Sequence, residues 1–402
     1  MSREFDVIIY GASGFTGRLV AEYMGKTYGD SANWAMAGRN EAKLGEVRDL
    51  VGAPSTTPLV TADASDSDSL RAMVKRAQCI CTTVGPYQLY GSELVKLCAE
   101  EGTHYVDLSG EPGWMHEMIT SHQAAAEASG ARIVHSCGFD SIPSDLGIFY
   151  AQNNMKENIG KYASKIYMRV IAMKGGVSGG TIYSFLNILK EARKNKTIRK
   201  IVNNPHSLSP NVDFFESDEA DLKKIIYDKT CKKWISPFIM ASINTRIVRR
   251  SNYLLDFKYG KDFIYNEAII VGKSIFSKFL GYLKLIPIYL IGKIKNKAFN
   301  LLVRLILPKP GKGPTESSRK NGYFKFSFYV FDKKLKAVVF VSGSGCPGYG
   351  STSKMLAESA ICLAIDRLPN NSGILTPSTG LGAPLLSRLE KNADLKFEFK
   401  QV

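Results

Sequence analysis

The stretch Tyr10–Val20, YGASGFTGRLV, follows directly on a short apolar run, Phe5–Tyr10, and carries glycines at Gly11, Gly14 and Gly17. The apolar run reads as a buried β-strand and the segment from Gly14 onward as a helix, so the glycines occupy a strand–turn–helix junction. Gly11 permits a sharp turn, Gly14 lets backbone amides approach a pyrophosphate, and Gly17 lets the new helix lie close on the sheet. The helix N-terminus then faces the anion, which makes Ser13, Gly14, Phe15 and Thr16 the candidate cradle. The spacing is G-x-x-G-x-x-G, and such a triplet alone matches many unrelated turns. Its setting at the first strand–helix junction is what makes it a dinucleotide signature.

Working outward, residues 1–150 alternate β-rich runs with amphipathic ones. Strands are expected at Phe5–Tyr10, Trp34–Ala37, Pro58–Thr61, Cys79–Thr83, Tyr105–Leu108 and Arg132–His135. Helices are expected at Gly14–Tyr23, Glu41–Leu50, Ser67–Arg76, Ser92–Glu101 and Met115–Ser129, with Asn40 and Ser65 or Asp66 as caps. Strands separated by helices predict an α/β fold, a Rossmann-type doubly wound parallel sheet. Beyond Tyr150 the pattern changes. Tyr162–Met173 alternates like a strand, Ile182–Arg193 reads as helix, and Tyr323–Phe331 with Leu335–Ser342 reads as a hairpin about Asp332–Lys334. A second α+β domain built on an antiparallel sheet is therefore expected over 151–344. The tail, 345–402, is expected to pack back on the first domain, through helices Ser353–Arg367 and Ala383–Glu390, a Gly/Pro-rich loop between them, and a strand at Leu395–Phe399. Residues 205–320 show little regular pattern.

The second strand discriminates between nucleotides. An NAD site places an acid at its end for the ribose 2′-hydroxyl, whereas an Arg there suits a 2′-phosphate. This chain reads WAMAGRNEAKL, with Arg39 in the acid's position and Lys43 one helical turn later, so NADP(H) is the expected cofactor. Asp63, after the third strand, either reaches the adenine edge or caps the next helix. Gly85 and Pro86, at the end of the fourth strand, would shape a turn beside the nicotinamide ribose, with Tyr87 as the candidate proton donor. Asp107 and Asp140 end strands five and six and suit helix caps, Pro112 and Pro143 following closely. Cys137 reads as a small core residue, and His104 and His135 as packing or hydrogen-bonding residues.

The 402 residues include 53 Lys and Arg against 37 Asp and Glu, unevenly placed. Residues 1–150 hold 11 basic and 19 acidic side chains, and the remainder 42 and 18. The basic excess beyond residue 150 suits nucleic acid, anionic lipid or an acidic carrier. Seven scattered cysteines without a C-x-x-C pair argue against a disulfide framework and a zinc site, and for a reducing, cytoplasmic setting. The N-terminal apolar run is too short for a signal peptide. Ile275–Pro308 is apolar but punctuated by Lys278, Lys284, Lys293, Lys295, Lys297 and Arg304, with Pro287 inside it. Its uncharged runs are too short to span a membrane. Amphipathic helices on a membrane surface, a dimer seal and a cap over an acyl tunnel all suit this composition. Nucleic acid suits it less, because the cations interleave with aliphatic rather than aromatic side chains. GGVSGGT, Gly175–Thr181, suits either substrate binding or a domain hinge.

The motifs YGASGFTG, AGRNEAKL, TTVGPYQLYG, YVDLSGE and HSCGFDSIPSDLG, followed by GGVSGGTIYS, PGYGSTSKMLAESA and GILTPSTGLGAPLLSRL, resemble those of saccharopine dehydrogenase-like oxidoreductases, and more closely the trans-acting enoyl reductases. The resemblance covers nearly the whole chain, with 205–310 least recognisable. It implies a Rossmann domain with a mixed α/β domain, pyridine-nucleotide chemistry and a hydrophobic or carrier-bound acyl or polyketide substrate. It further implies a polyketide-synthase-type partner, a place in glycolipid synthesis and, from animal relatives, membrane association. Two alternatives stay open: a non-catalytic nucleotide-binding protein at a membrane, and a reductase of a C=N or C=O bond. A homodimer is compatible with either.

Overall fold

The computed structural model describes residues 3–175, 195–210, 220–283 and 313–402. The first sheet contains β1 (Phe5–Tyr10), β2 (Trp34–Gly38), β3 (Leu59–Thr61), β4 (Ala77–Thr82), β5 (His104–Val106) and β6 (Arg132–Val134). The helices between and after them are α1 (Phe15–Thr27), α2 (Glu41–Val51), α3 (Ser67–Arg76), α4 (Tyr87–Tyr90), α5 (Ser92–Glu101), α6 (Pro112–Ser129) and α7 (Ile142–Ile159). Val7, Ile8 and Ile9 of β1 are fully buried, as expected of a parallel strand covered on both faces. Burial of such side chains stabilises the sheet by about 1.5–3 kcal/mol each. Asn40 caps α2 by accepting from Lys43 N, and Asp66 caps α3 by accepting from Asp68 N and Ser69 N.

The second sheet contains β7 (Lys165–Lys174), β8 (Ile226–Asp228), β9 (Lys233–Pro237), β10 (Ile264–Gly272), β11 (Tyr323–Asp332) and β12 (Lys334–Ser344). Near the end of the chain, β13 (Gly373–Leu375) joins the first sheet and β14 (Leu395–Gln401) the second. The first sheet runs β13-β6-β5-β4-β1-β2-β3, parallel throughout. The second runs β14-β12-β11-β7-β10-β9-β8 and is antiparallel except for the β7–β10 pair. The hairpin turns at Lys333, whose φ is +61°.

Helix α7 lies against the second sheet through β11, β12 and β14. A Cβ on Gly147 would stand 2.5 Å from the Phe328 ring, so a glycine is what allows this approach. The helix Thr352–Ile365 packs on α1 and on β1, β4 and β5. Tyr23 of α1 and Tyr28, just past its end, donate to its Glu358 at 2.6 and 2.7 Å, and Arg388 from the helix Gly382–Asn392 grips Asp366. The tail is thus divided between the sheets: its first helix and β13 lie with the first, its last strand with the second.

Residues 205–320, which show little pattern in the sequence, contain β8, β9, β10 and a helix, Ala241–Leu254. The reason is visible in that helix. Arg246, Arg249 and Arg250 are buried, so the cations stand on the packed face and the amphipathic period is masked. Arg250 is bonded to the carbonyls of Leu208 and Ile374, and Arg169 of β7 pairs with Asp228 at 2.6 Å. Part of the basic excess therefore lies inside the fold, bonded to carbonyls and carboxylates. The helix expected at Ile182–Arg193, most of GGVSGGT and the 284–308 part of the basic apolar stretch lie outside the described residues.

Candidate functional site

In a parallel sheet every strand ends at the same edge, and the crevice opens where the connections diverge, here between β1 and β4. All the candidate residues stand on that edge. Gly11 has φ +91°, a conformation an L side chain rarely adopts, and a Cβ there would stand 2.8 Å from Val84 Cγ2 and 2.9 Å from Thr83 Oγ1. Gly11 N donates to Ala37 O at 2.9 Å and Gly14 N to Gly11 O at 2.9 Å, which closes the turn. A Cβ on Gly17 would stand only 2.2 Å from Gly11 O, so the start of α1 lies directly on the turn.

Gly14 is the N-cap of α1, offers no side-chain bond, and no acid stands in the first turn. The helix N-terminus thus has no negative partner from its own cap, and its partial positive charge remains for an anion. Among the described residues the Ser13 and Thr16 hydroxyls make no hydrogen bond. The Phe15 ring is turned toward the tail, edge-on to Tyr349 at 4.9 Å, so Phe15 offers the crevice its backbone only.

Arg39 stands exposed at the end of β2 and makes no hydrogen bond or ion pair among the described residues. Its charge acts on Tyr10, where burial and Asp63 push the phenol up to about 12 against the opposing pull of Arg39. Lys43 is exposed on the first turn of α2. Asp63 accepts from Ser65 N at 2.9 Å and Ser65 Oγ at 2.7 Å, bonds that hold its carboxyl below the usual range. Asp63 therefore closes its own turn. The cap of α3 is Asp66. Two exposed cations with no acid at the end of β2, beside an uncapped helix start, fit a dinucleotide bearing a 2′-phosphate.

The β4 connection carries Gly85, exposed, and Pro86, joined by a cis peptide. Tyr87 is buried, stacked on Trp114 at 5.6 Å. Its hydroxyl donates to Thr82 O at 3.2 Å and accepts from Leu108 N at 3.0 Å. Burial, with the Asp107 charge behind it, pushes this phenol far above its ordinary value. The hydroxyl ties the end of β4 to the end of β5 and is not presented to the crevice, which argues against the proton-donor role expected from sequence.

Two carboxylates end β5 and β6 in opposite environments. Asp107 is fully buried and accepts from Tyr105 hydroxyl at 2.9 Å, His135 Nδ1 at 2.7 Å, Ser109 N at 2.9 Å, Ser109 Oγ at 2.8 Å and Ser136 N at 2.9 Å. Burial works against its charge, yet His135 and these donors outweigh it and hold the carboxyl below its ordinary value. Asp140 keeps some solvent contact, and among the described residues its carboxyl has no partner. Nothing in the sequence separated these two aspartates, since the difference lies in which donors the loops bring together.

Beside this edge Gln88, Glu111, Trp114, Ile198, Ile201 and Val202 line a cleft of about 150 Å³. Glu111 accepts from Gln88 N at 2.9 Å. His104 and His135 are both held in the strand layer, His104 Nδ1 accepting from Arg132 N at 3.1 Å. Burial also pushes the Cys137 thiol up. No cluster of metal-ligating side chains occurs among the described residues.

Residues 7–134 match the family model of the saccharopine dehydrogenase NADP binding domain. The chain is 39% identical to a Mycobacterium tuberculosis protein provisionally named a trans-acting enoyl reductase, over 96% of each chain. It is 35% identical to the trans-acting enoyl reductases of Mycobacterium tuberculosis and Mycobacterium leprae, again over 96% of each. Among solved structures, apo saccharopine dehydrogenase (L-Glu forming) from Saccharomyces cerevisiae superposes with a TM-score of 0.54, covering 98% of this chain and 99% of that one. At 11% identity, that is a likeness of fold.

Proposed function

The chain belongs to the trans-acting enoyl reductase family of saccharopine dehydrogenase-like oxidoreductases and is an NADP(H)-dependent enzyme; on that premise we propose that it reduces the enoyl double bond of an acyl or polyketide chain held on a carrier by a partner synthase, in lipid or glycolipid assembly. The observation that carries this reading is the full-length match to relatives of that name, in a chain whose glycine turn is shaped for a diphosphate. Bound NADPH supplies the hydride. Ser13, Gly14, Phe15 and Thr16 hold the diphosphate with backbone amides at the start of α1, and Gly11 and Gly17 keep that start against β1. Arg39 and Lys43 hold the 2′-phosphate. Gly85 and Pro86 border the nicotinamide ribose, and the cleft beside Trp114 and Ile198 receives the apolar chain. The test is purified protein with NADPH and 2-enoyl thioesters, free and carrier-bound, followed by NADPH absorbance and product mass. NADPH binding with no reduction of either thioester form would overturn the reading.

A membrane-surface role is favoured by a separate observation. The helix over 275–283 exposes Ile275 by 68%, Phe276 by 65% and Phe279 by 60%, with Lys273 exposed beside it. Lys278 from the same helix lies over the Trp234 ring. An apolar face beside cations suits the headgroup region of an anionic bilayer. No helix among the described residues is long and apolar enough to cross a membrane. Co-sedimentation with anionic vesicles that survives a Phe276→Ser/Phe279→Ser double substitution would remove this part.

A further inference from the structure

Reduction of a C=C bond needs a proton as well as a hydride, and with the Tyr87 hydroxyl committed to two backbone groups the donor must be sought elsewhere on the edge. Arg39 marks the β1–β3 half as the adenosine end, which leaves the connections after β4, β5 and β6 beside the nicotinamide. We propose that Asp140, on the connection from β6 to α7, is the acid that protonates the α-carbon of the reduced enoyl group; the assignment rests on the enoyl-reduction reading above.

The Asp140 connection is held on several sides. Cys137 N donates to Asp107 O at 2.8 Å, Phe139 N to Thr352 Oγ1 at 3.0 Å, and Ser141 Oγ to Asn244 Oδ1 at 3.1 Å. The Phe139 ring lies against Phe324 and Phe326 of the second sheet. Asp140 is thus a short side chain on a backbone fixed by both sheets, the support a proton donor requires. Across from it stands Gly110, whose Cβ, had it one, would be 3.6 Å from Asp140 Oδ2. A glycine there sets no side-chain atom against the carboxyl from that side.

Its protonation follows from its surroundings. Burial alone pushes the carboxyl up to about 7. The acidic groups on the adjoining segments are engaged elsewhere: Asp107 with His135, Glu111 with Gln88 N, and Asp145 of α7 with Ser251 Oγ at 2.5 Å and Ser378 N at 2.8 Å. One carboxylate saturated with donors and another with none among the described residues is the pattern that divides a structural anion from a working acid. In the step, the β-carbon receives hydride from bound NADPH, which is oxidised to NADP⁺, and the π pair shifts toward the α-carbon and the thioester carbonyl. The Asp140 O–H bond breaks, its proton bonds to the α-carbon, and the carboxylate left behind is reprotonated from water.

The experiment compares wild type, Asp140→Asn and Asp140→Glu. Infrared difference spectra of wild type against Asp140→Asn, with NADP⁺ bound and no substrate, are expected to show a protonated carboxyl near neutral pH that is lost in alkali. Asp140→Asn is expected to bind NADPH as wild type does but to reduce a 2-enoyl thioester about 10²–10⁴-fold more slowly, with Asp140→Glu partly restoring the rate. Wild-type kcat/KM is expected to fall as pH rises through about 7, a limb missing from Asp140→Asn. An Asp140→Asn enzyme with the wild-type rate and pH limb, or a carboxyl already ionised at pH near neutral, overturns the proposal alone. A wild type that reduces no enoyl thioester overturns the enoyl reading and the proposal with it.

Discussion

Replacing Gly17 by Ala tests whether the closeness of α1 to β1 is what makes the cradle. The new Cβ would lie 2.2 Å from Gly11 O, 2.8 Å from Gly11 C and 2.9 Å from Ala12 Cα, all backbone atoms with no rotamer to yield. Ordinary contact begins near 3.4 Å, so α1 has to retreat by about 1 Å in a tightly packed region. Overpacking of this kind costs about 1–3 kcal/mol of stability. The retreat also carries the first-turn amides away from the diphosphate, where hydrogen bonds to a charged group are worth about 1.5–3 kcal/mol each. Weakening one of them is enough to raise the Kd for NADPH about tenfold, since tenfold is about 1.4 kcal/mol. Gly45→Ala is the matched control: within α2 its Cβ meets only Leu59 Cδ1, at 3.9 Å. That change should raise stability by about 0.4–1 kcal/mol and leave NADPH binding untouched. Urea melts give the stabilities and calorimetric titration gives the affinities. A folded Gly17→Ala protein with wild-type NADPH affinity would refute the reasoning.

Arg39→Ser should weaken NADPH binding by about tenfold or more while leaving NADH binding unchanged, because only the 2′-phosphate loses a partner; parallel titrations with the two cofactors measure it. Tyr87→Phe leaves the half-buried Leu108 N–H without its acceptor and should cost about 1–3 kcal/mol in a urea melt, with the rate per folded enzyme retained; a large loss of kcat at unchanged stability would return Tyr87 to the chemistry. Glu267, buried against Asn244 and Tyr265, has its carboxyl pushed up from 4.5 to about 7 by burial. The folded state therefore binds a proton that the unfolded chain releases first, so stability falls as pH rises from 4.5 to about 7 and levels off beyond. Glu267→Gln should remove up to about 3 kcal/mol of that fall, read from melts across the interval.

The parallel sheet was legible in the sequence because its strands are short, apolar and separated by helices with recognisable caps, Asn40 and Asp66 among them. β13 was not, since three residues inside a Gly/Pro-rich stretch carry no period and the pairing with β6 is decided by distant chain. The helix Ala241–Leu254 was obscured by Arg246, Arg249 and Arg250, whose terminal nitrogens bond to carbonyls and to Asp221 outside the helix. The glycine turn and Arg39 could be read from spacing because their roles belong to the backbone and to one exposed charge. Tyr87 could not, because the difference between a cleft hydroxyl and a buried bridge depends on where Leu108 N comes to lie. The same holds for Asp107 and Asp140, alike as letters and, among the described residues, opposite in hydrogen bonding.

The division of the tail between the sheets has a consequence for synthesis on the ribosome. Many multidomain chains complete their N-terminal unit while the rest is still being made. Here β6 waits for Gly373–Leu375 and β12 for Leu395–Gln401, so the hydrogen-bonding edges of β6 and β12 that these strands cover in the finished fold stand open until both segments have left the ribosome. An unpaired edge is a template for pairing with another chain. Nascent protein should therefore lean on holdase chaperones until these two strands emerge, and a stop codon shortly before Gly373 should yield aggregate and not a smaller working dinucleotide domain.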